Sequence, residues 1–407
     1  MADNVTLSTA KTAKNDEFYT QYSDIEAQMN AYVEYNPDVF RDKTILLPCD
    51  DPEWSNFTKY FASNFERFGL KKLISTSYAK GAANKQITMF EMLSPLYDET
   101  LHETRGKLFT LTRDKDESGI IDTDDIEFSG YLEGDGDFRS AEVCKLRDEA
   151  DFIITNPPFS LFREFLAWIL EKQKLFIIIG SKNAITYKDV FPLLKENKIW
   201  LGPGFPGGNA FFRITSEDVR EFASGVYDEV SGLVKFRNVG WFTNVDHGQR
   251  YEDLQLDTMA HNLKYHKSLR RLFEENYGKI EYPHYDNYDA IEIPYTECIP
   301  SDYDGIMGVP ITFLDKYNPN QFNIIGLLQS STDEQAGIPN LRYYNDFREM
   351  RQDMTYTGAS GGKANGNPVI KGKSAKGNFL YNPTTGEYVH SVYARIVIKA
   401  KGGGNNQ

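Results

Sequence analysis

A chain of 407 residues, 40% of them hydrophobic, can bury enough surface for one elaborated domain or two. Its net charge of −14 excludes a uniformly basic nucleic-acid binder, because phosphate contacts need clustered Lys and Arg. No apolar run approaches the ~20 residues that cross a bilayer, so no membrane partner is expected. The opening MADNVTLSTAKTAKNDEF lacks the apolar core of a secretory signal, and Cys49, Cys144 and Cys298 are too scattered for a disulfide framework or a zinc site. Both fit a cytoplasmic protein without a bound metal.

The charge is uneven. Residues 114–137 carry ten acids and one Lys, whereas 358–407 carry seven bases against Glu387 alone. A local basic face is therefore compatible with an acidic whole.

From Thr44 to about Gly202 the pattern alternates strand and helix. TILLP (44–48) reads as a short buried strand. Asp51 followed by Pro52 predicts a helix start, with EWSNFTKYFASNFERF running to a C-cap at Gly69. KKLISTS (71–77) is the next strand, 79–125 an acidic insertion read as a hairpin with a long loop, and IEFSGYLEG (126–134) a third strand. A helix near 139–149 leads to the strand DFIIT (151–155) and the helix SLFREFLAWILEK (160–172). LFIIIG (175–180) is the fifth strand, with a helix around 187–197; KIWLG and NAFFRI read as an antiparallel pair at the sheet edge. Short apolar strands separated by helices predict a doubly wound, mostly parallel α/β sheet covered on both faces, with ligands at the carboxyl ends of its strands. Beyond 202 the text becomes aromatic-rich and β-like, which predicts a second, recognition region over 203–407. Within it lie a basic Gly/Lys-rich loop at 357–378 and a last strand, ARIVIKA (394–400).

The corner Asn156-Pro157-Pro158-Phe159 follows the fourth strand and precedes a helix. An Asn side chain offers a carbonyl acceptor, and a proline-fixed backbone presents a second carbonyl in a set direction. Together they can accept both hydrogens of a conjugated –NH2 group and keep its lone pair off the ring. A following aromatic can stack on a flat base. The methyl donor that suits such a nucleophile is S-adenosylmethionine, whose sulfonium methyl needs only in-line approach. By itself the corner specifies an amine and an electrophilic methyl, and leaves open adenine in DNA or RNA, or a glutamine amide.

These residues resemble the EcoRI-type adenine-specific (N6) DNA modification methyltransferases. The likeness runs through NDEFYTQYSDIE (15–26), CDDPEWSNFTKYF (49–61), GDGDFRS (134–140), TNPPFSLFREFL (155–166), GWFTN (240–244), YDNYDAIE (285–292) and YDGIMGVPITFLDKYNP (303–319), most of the chain to about 326. The resemblance implies a class I (Rossmann-like) sheet, S-adenosylmethionine as cofactor, and double-stranded DNA whose target adenine is flipped out. It further implies membership of a restriction-modification system, with a cognate endonuclease acting without a stable complex, and a monomer. Carried over residue by residue, Asn156 and Pro157 accept from adenine N6, Pro158 holds the turn, and Phe159 stacks on the base. Asp137 and Phe138 hold the cofactor's adenine, Phe18-Tyr19-Thr20 closes over its methionine end, and Cys49, Asp50 and Asp51 approach it from the first strand. Two departures stand out: CDDP replaces the usual Gly-rich turn, and STSYA lacks the usual ribose-binding acid. A catalytically inactive DNA-binding or anti-restriction protein is the competing class.

Three other stretches admit two readings. DKDESGIIDTDD (114–125) matches an EF-hand loop in spacing but ends in Asp125 and has strand-like flanks, which suits a solvated hairpin loop better. The basic run 363–376 suits DNA phosphates or a flexible surface loop. HNLKYHKSLRRLF (261–273) reads as a basic surface helix, and the tyrosines at 277–295 as packing residues.

Overall fold

The apolar runs of the first 250 residues build an eight-stranded sheet and a smaller four-stranded one. The computed structural model describes residues 18–48, 50–79, 89–213, 225–329 and 335–401. The chain divides into two compact units, Met1–Ala184 with Ile199–Gln249, and Ile185–Lys198 with Arg250–Gln407.

In the first unit the chain runs β1 (Tyr19–Thr20), α1 (Tyr22–Tyr35), β2 (Thr44–Leu47), α2 (Asn56–Ser63), β3 (Lys72–Thr76), β4 (Lys107–Leu111), β5 (Glu127–Tyr131), α3 (Ala141–Glu149), β6 (Phe152–Thr155), α4 (Phe162–Glu171) and β7 (Leu175–Ser181). It continues through β8 (Trp200–Leu201), β9 (Ala210–Arg213), β10 (Tyr227–Asp228), β11 (Leu233–Phe236) and β12 (Val239–Thr243). The main sheet has the order β5-β4-β3-β2-β6-β7-β12-β8. Its centre, β3-β2-β6-β7, is parallel, and both flanks are antiparallel. Alternate residues of the central strands face opposite sides. Ile45, Leu47, Leu73, Phe152, Ile154, Ile177 and Ile179 pack with Ile25, Met29 and Tyr32 of α1 and with Phe57, Tyr60 and Phe61 of α2. Leu46, Ile74, Ile153, Phe176 and Ile178 are also buried, and α3 and α4 contact β2 and β7. Both faces are covered, so the strands are apolar throughout rather than alternating.

The sequence places the strands well and misplaces several boundaries. The helix expected from Asp51 starts instead at Asn56. Ser55 is its cap, accepting from the amides of Phe57 and Thr58, while Asp51 to Ser55 forms a turn closed on the Asp51 carbonyl. The helix breaks at Asn64 and resumes as Phe65–Phe68, ended by Gly69 in the left-handed region. The insertion is a hairpin: β4 and β5 pair, and β5 is the expected third strand. KIWLG and NAFFRI do not pair with each other. β8 joins β12 in the main sheet, and β9 joins β1 and β11 in a separate four-stranded sheet, because Tyr19 and Thr20 supply the ladder partners of Arg213 and Phe212. The first compact unit runs past residue 202 to Gln249, because β12 hydrogen-bonds along the length of β7.

In the acidic loop, Asp114, Asp116 and Asp125 bring carboxylate oxygens within 4.8 Å of one another. These groups accept from the loop's own amides: Asp125 from Lys115, Asp116 and Asp122, Asp114 from Ser118 and Gly119, and Asp116 from Ser118. Nearby, Glu91 accepts from buried Lys107 (2.7 Å) and from Tyr131, and bonds His102 (2.8 Å), tying the segment before β4 to the hairpin.

The second unit contains a four-stranded sheet of β13 (Ile291–Glu292), β14 (Ile306–Pro310), β15 (Phe322–Leu328) and β21 (Arg395–Ala400), in the order β13-β14-β21-β15. A five-stranded sheet of β16 (Arg348–Met350), β17 (Tyr356–Ser360), β18 (Val369–Lys371), β19 (Phe379–Tyr381) and β20 (Tyr388–Ser391) has the order β17-β16-β19-β20-β18. Helices α5 (Met259–Tyr265) and α6 (Lys267–Tyr277) bury Leu269 and Phe273 and expose Lys264, Lys267, Arg270 and Arg271. Of the tyrosines expected to pack, Tyr282, Tyr285 and Tyr288 are buried and Tyr295 is half-buried, while the Tyr277 side chain lies outside the described residues. The expected loop at 357–378 contains the end of β17 and all of β18.

Gly136 lets the turn after β5 approach the end of β3. Its φ is +84°, and an added Cβ would lie 2.2 Å from the Ser77 carbonyl oxygen. Gly136→Ala is expected to lower stability by about 3 kcal/mol, read as a fall in the urea midpoint with unchanged slope.

Candidate active site

β2 and β6 are neighbours in the sheet although β3, β4 and β5 lie between them in sequence. The chain leaves β2 toward β3 on one side and returns to β6 on the other. The carboxyl ends of β2 and β6 thus flank a topological switch point, where open α/β sheets bind ligands. Asp50 and Asp51 follow β2, and Asn156 to Phe159 follow β6.

Asp50 joins the two strand ends. Its Oδ1 accepts from Ser55 Oγ (2.7 Å), and its Oδ2 lies 2.6 Å from Thr155 Oγ1, which is 3.0 Å from the Pro48 carbonyl. Its own main-chain carbonyl accepts from Thr58 Oγ1 and Ser75 Oγ. Burial pushes its carboxyl up to about 7, against the lowering effect of Thr155 and Ser55. The geometry explains how the neutral form is accommodated: a protonated Oδ2 donates to Thr155, whose hydroxyl then donates to Pro48. Asp51 is also buried, which raises its carboxyl to about 6. Its Oδ1 accepts from the Glu53 amide (3.0 Å), while its Oδ2 is buried with no partner.

The corner itself is anchored from the amino-terminal side. Asn156 Nδ2 donates to the Phe18 carbonyl (2.8 Å), and Asn56 Nδ2 donates to the Thr20 carbonyl (2.7 Å). These two amides hold Phe18-Tyr19-Thr20 as a strap at the sheet edge. With Nδ2 engaged, Asn156 Oδ1 is left buried without a partner, as is Thr20 Oγ1. Phe159 stacks on Phe18 (centroids 6.0 Å, planes 27°) and meets Phe212 and Phe236 edge-on.

The remaining expected residues lie differently. Both Asp137 oxygens accept from Arg139, at 2.6 and 2.9 Å, and Arg139 also reaches Glu164. Phe138 is buried edge-on against Phe165 and Trp168 of α4. Cys49 lies outside the described residues. Sequence reasoning missed Ser55, Asn56, Thr58, Ser75 and Thr155, single polar residues whose importance appears only when the strand ends meet. It also missed the Phe212 and Phe236 rings around Phe159.

Three unpartnered buried polar atoms, on Thr20, Asp51 and Asn156, therefore belong to segments that meet at one sheet edge. A buried polar atom without a partner is costly, so each has a bond left to make. A carboxylate oxygen suits an ammonium, and an amide oxygen suits an amino N–H. A family model, adenine-specific methyltransferase EcoRI, matches residues 6–401. The chain belongs to that family. It is 42% identical over 340 residues to the type II methyltransferase M.EcoRI of Escherichia coli, covering 83% of this chain and 93% of the relative. It is 32% identical over 321 residues to M.MpnI of Mycoplasma pneumoniae (78% and 84% covered) and 31% identical over 321 residues to M.MgeORF184P of Mycoplasma genitalium (78% and 85%), both type II methyltransferases. No solved structure matches the chain significantly. Family membership makes this a methyltransferase with adenine as its target base. Among the described residues no helix is long and apolar enough to cross a membrane.

Asp50 supports a pH prediction. Its folded-state carboxyl titrates near 7 rather than near 3.8, so the fold favours the neutral form. Its contribution to stability is fully present below about pH 4 and is lost as pH rises through 7. Asp50→Asn lacks this proton and can make the same bonds. The stability of Asp50→Asn relative to the parent, from urea midpoints, should rise between pH 4 and 7, whereas Asp50→Ala should be less stable by about 2 kcal/mol at pH 5.

Proposed function

We propose that the chain transfers the methyl group of S-adenosylmethionine to the N6 amino group of an adenine flipped out of double-stranded DNA. The reading takes the main sheet as a class I, Rossmann-like catalytic fold, residues 1–202 as the catalytic part and 203–407 as the target-recognition part. The observation that carries it is Asn156 Oδ1, a buried acceptor without a partner three residues before Phe159, in a chain of the adenine-specific family.

S-adenosylmethionine supplies an electrophilic sulfonium methyl. The chain's own residues do the rest. Asn156 Oδ1 and the Pro157 carbonyl accept the two amino hydrogens, which draws the nitrogen lone pair out of ring conjugation. The Pro157 ring sets its own φ and Pro158 restricts the ψ of Pro157, which together fix the angle between those acceptors. Phe159 holds the base plane by stacking. Asp51 Oδ2 takes the ammonium of the cofactor's methionine end, with Thr20 Oγ1 and the Tyr19 strap closing over it. Asp50 positions both strand ends through Ser55 and Thr155. Asp137 takes the cofactor's adenine amino group by releasing one of its two bonds to Arg139, which keeps the other and its bond to Glu164. Phe138 supports this turn from the α4 core. For a base to occupy the face of Phe159 now met by Phe18, the Phe18 ring must swing aside. The working form is a monomer, and a cognate restriction endonuclease acts on the same sequence without a stable complex.

Incubation with labelled S-adenosylmethionine and unmethylated genomic DNA, RNA or cell protein should place the label in DNA as N6-methyladenine. Label only in RNA or protein would sink the proposal. Asn156→Ala should lose at least about a hundredfold in kcat with its unfolding transition intact. Phe159→Ala should raise KM for DNA roughly tenfold, whereas Phe159→Tyr should keep most activity.

A further inference from the structure

The five-stranded sheet is inserted between two hydrogen-bonded neighbours. β15 and β21 pair directly, Leu328 opposite Arg395, yet β16 to β20 lie between them in sequence. The inserted segment has a core of its own, made by Tyr344, Phe347, Ala364, Val369, Leu380 and Val389.

Its charge runs against that of the whole chain. Residues 335–394 carry seven Lys and Arg and four Asp and Glu, in a chain of net charge −14. Ion pairs account for Lys363 (with Glu349, 2.7 Å), Arg342 (with Glu387, 2.5 Å, and Asp286, 2.7 Å) and Lys371 (with Asp286, 3.4 Å). Arg348, Arg351, Lys373 and Lys376 are exposed and outside these pairs. The acids two residues to either side of Arg351 have other partners: Glu349 pairs with Lys363, and the Asp353 carboxylate accepts from the Thr355 amide and hydroxyl.

Two of these cations, Arg348 and Lys373, share a surface with aromatic rings. Arg348 pairs in register with Tyr381, Tyr381 with Tyr388, and Met350 with Phe379 and Tyr356. Cross-strand partners share a face, so Arg348, Tyr356, Tyr381 and Tyr388 lie on one face while Leu380 and Val389 fill the core on the other. Tyr381 and Tyr388 stack at 5.0 Å, the Arg348 guanidinium lies over Tyr356 at 6.0 Å, and Lys373 Nζ lies 4.5 Å from the Tyr388 centroid. The Gly/Lys loop is tied down: Gln352 Nε2 donates to the carbonyls of Ser374 (3.0 Å) and Gly377 (2.6 Å), joining that loop to the β16–β17 turn.

We propose that this face of the inserted sheet, with Arg348 and Lys373 on it and Arg351 and Lys376 in the turn and loop that Gln352 joins beside it, is a docking surface for the phosphate backbone of duplex DNA. It rests on the DNA reading above and assigns the phosphate contacts to this module. An excess of exposed cations in an otherwise acidic chain fits a polyanion, and a pinned loop presents them with less ordering entropy to lose than a free one.

The test uses the full chain and a 30-base-pair duplex, with Arg348→Ala, Arg351→Ala, Lys373→Ala and Lys376→Ala combined. Binding is measured across a salt series, and methylation separately. The expected result is a salt slope shallower by about 0.9 for each phosphate that is no longer neutralised, and a KM for DNA higher on the order of tenfold at ~0.1 M salt. KM for S-adenosylmethionine and kcat at saturating DNA should hold. Should the combined variant unfold, Arg351→Ala with Lys376→Ala alone should show about half the slope change. An unchanged slope with methylation intact overturns the proposal. A parent chain that binds duplex with a slope the variant lowers, but does not methylate it, breaks the proposed activity and keeps this surface; one that does not bind duplex breaks both.

Discussion

The hydrogen bond between Asp50 and Thr155 joins what the chain order separates. β2 and β6 are side by side in space but about a hundred residues apart in sequence, and this bond ties the turn after one to the corner after the other. Everything at the candidate site is measured from it. Asn156 follows Thr155 directly, so the direction of its side chain inherits the position of the Thr155 hydroxyl. Asp51 follows Asp50, so its free oxygen inherits the same reference. Ser55 and Thr58 link the pair to α2, and Ser75 links it to β3. A small set of hydroxyls does here what a glycine-rich turn does in many nucleotide-binding sheets: it fixes the loop after the first long strand against its neighbours.

The strap formed by Phe18, Tyr19 and Thr20 is a second layer on this frame. It is held by two asparagine side chains and a two-residue ladder with β9, and its Phe18 ring fills space against Phe159. The same amide that anchors the strap leaves its oxygen unpartnered. One side chain therefore couples the strap to the Asn-Pro-Pro-Phe corner, so a change in either is felt by the other.

Much of the fold was legible because buried parallel strands leave a plain trace. TILL, KLIST, FIIT and LFIIIGS are short apolar runs, and each became a strand with nearly the expected bounds. The corner was legible for another reason: two prolines after such a strand have few uses. What sequence could not supply was register across long separations. Asp51 looked like a helix cap because a Pro followed it, yet Ser55 won, since its hydroxyl could serve two amides and the Asp50 carboxyl together. NAFFRI looked like the partner of its neighbour in sequence, but residues 19 and 20 offered a ladder from nearly two hundred residues away. Asp137 looked open to a ligand, but Arg139 two positions later closes on both of its oxygens. In each case the competing partner was invisible until the chain folded.

The placement of the last strand has a consequence for how the protein is made. β21 lies between β14 and β15 rather than at an edge, so it completes two ladders at once. Until residue 400 has been synthesised, β14 and β15 have no common partner, and both expose unpaired backbone groups and apolar side chains. The second unit must wait for its final strand, while the first unit has every strand it needs once residue 243 is made. On the ribosome the first sheet can therefore form well ahead of the second, and the interval between them is when the nascent chain is most open to aggregation and most in need of a chaperone.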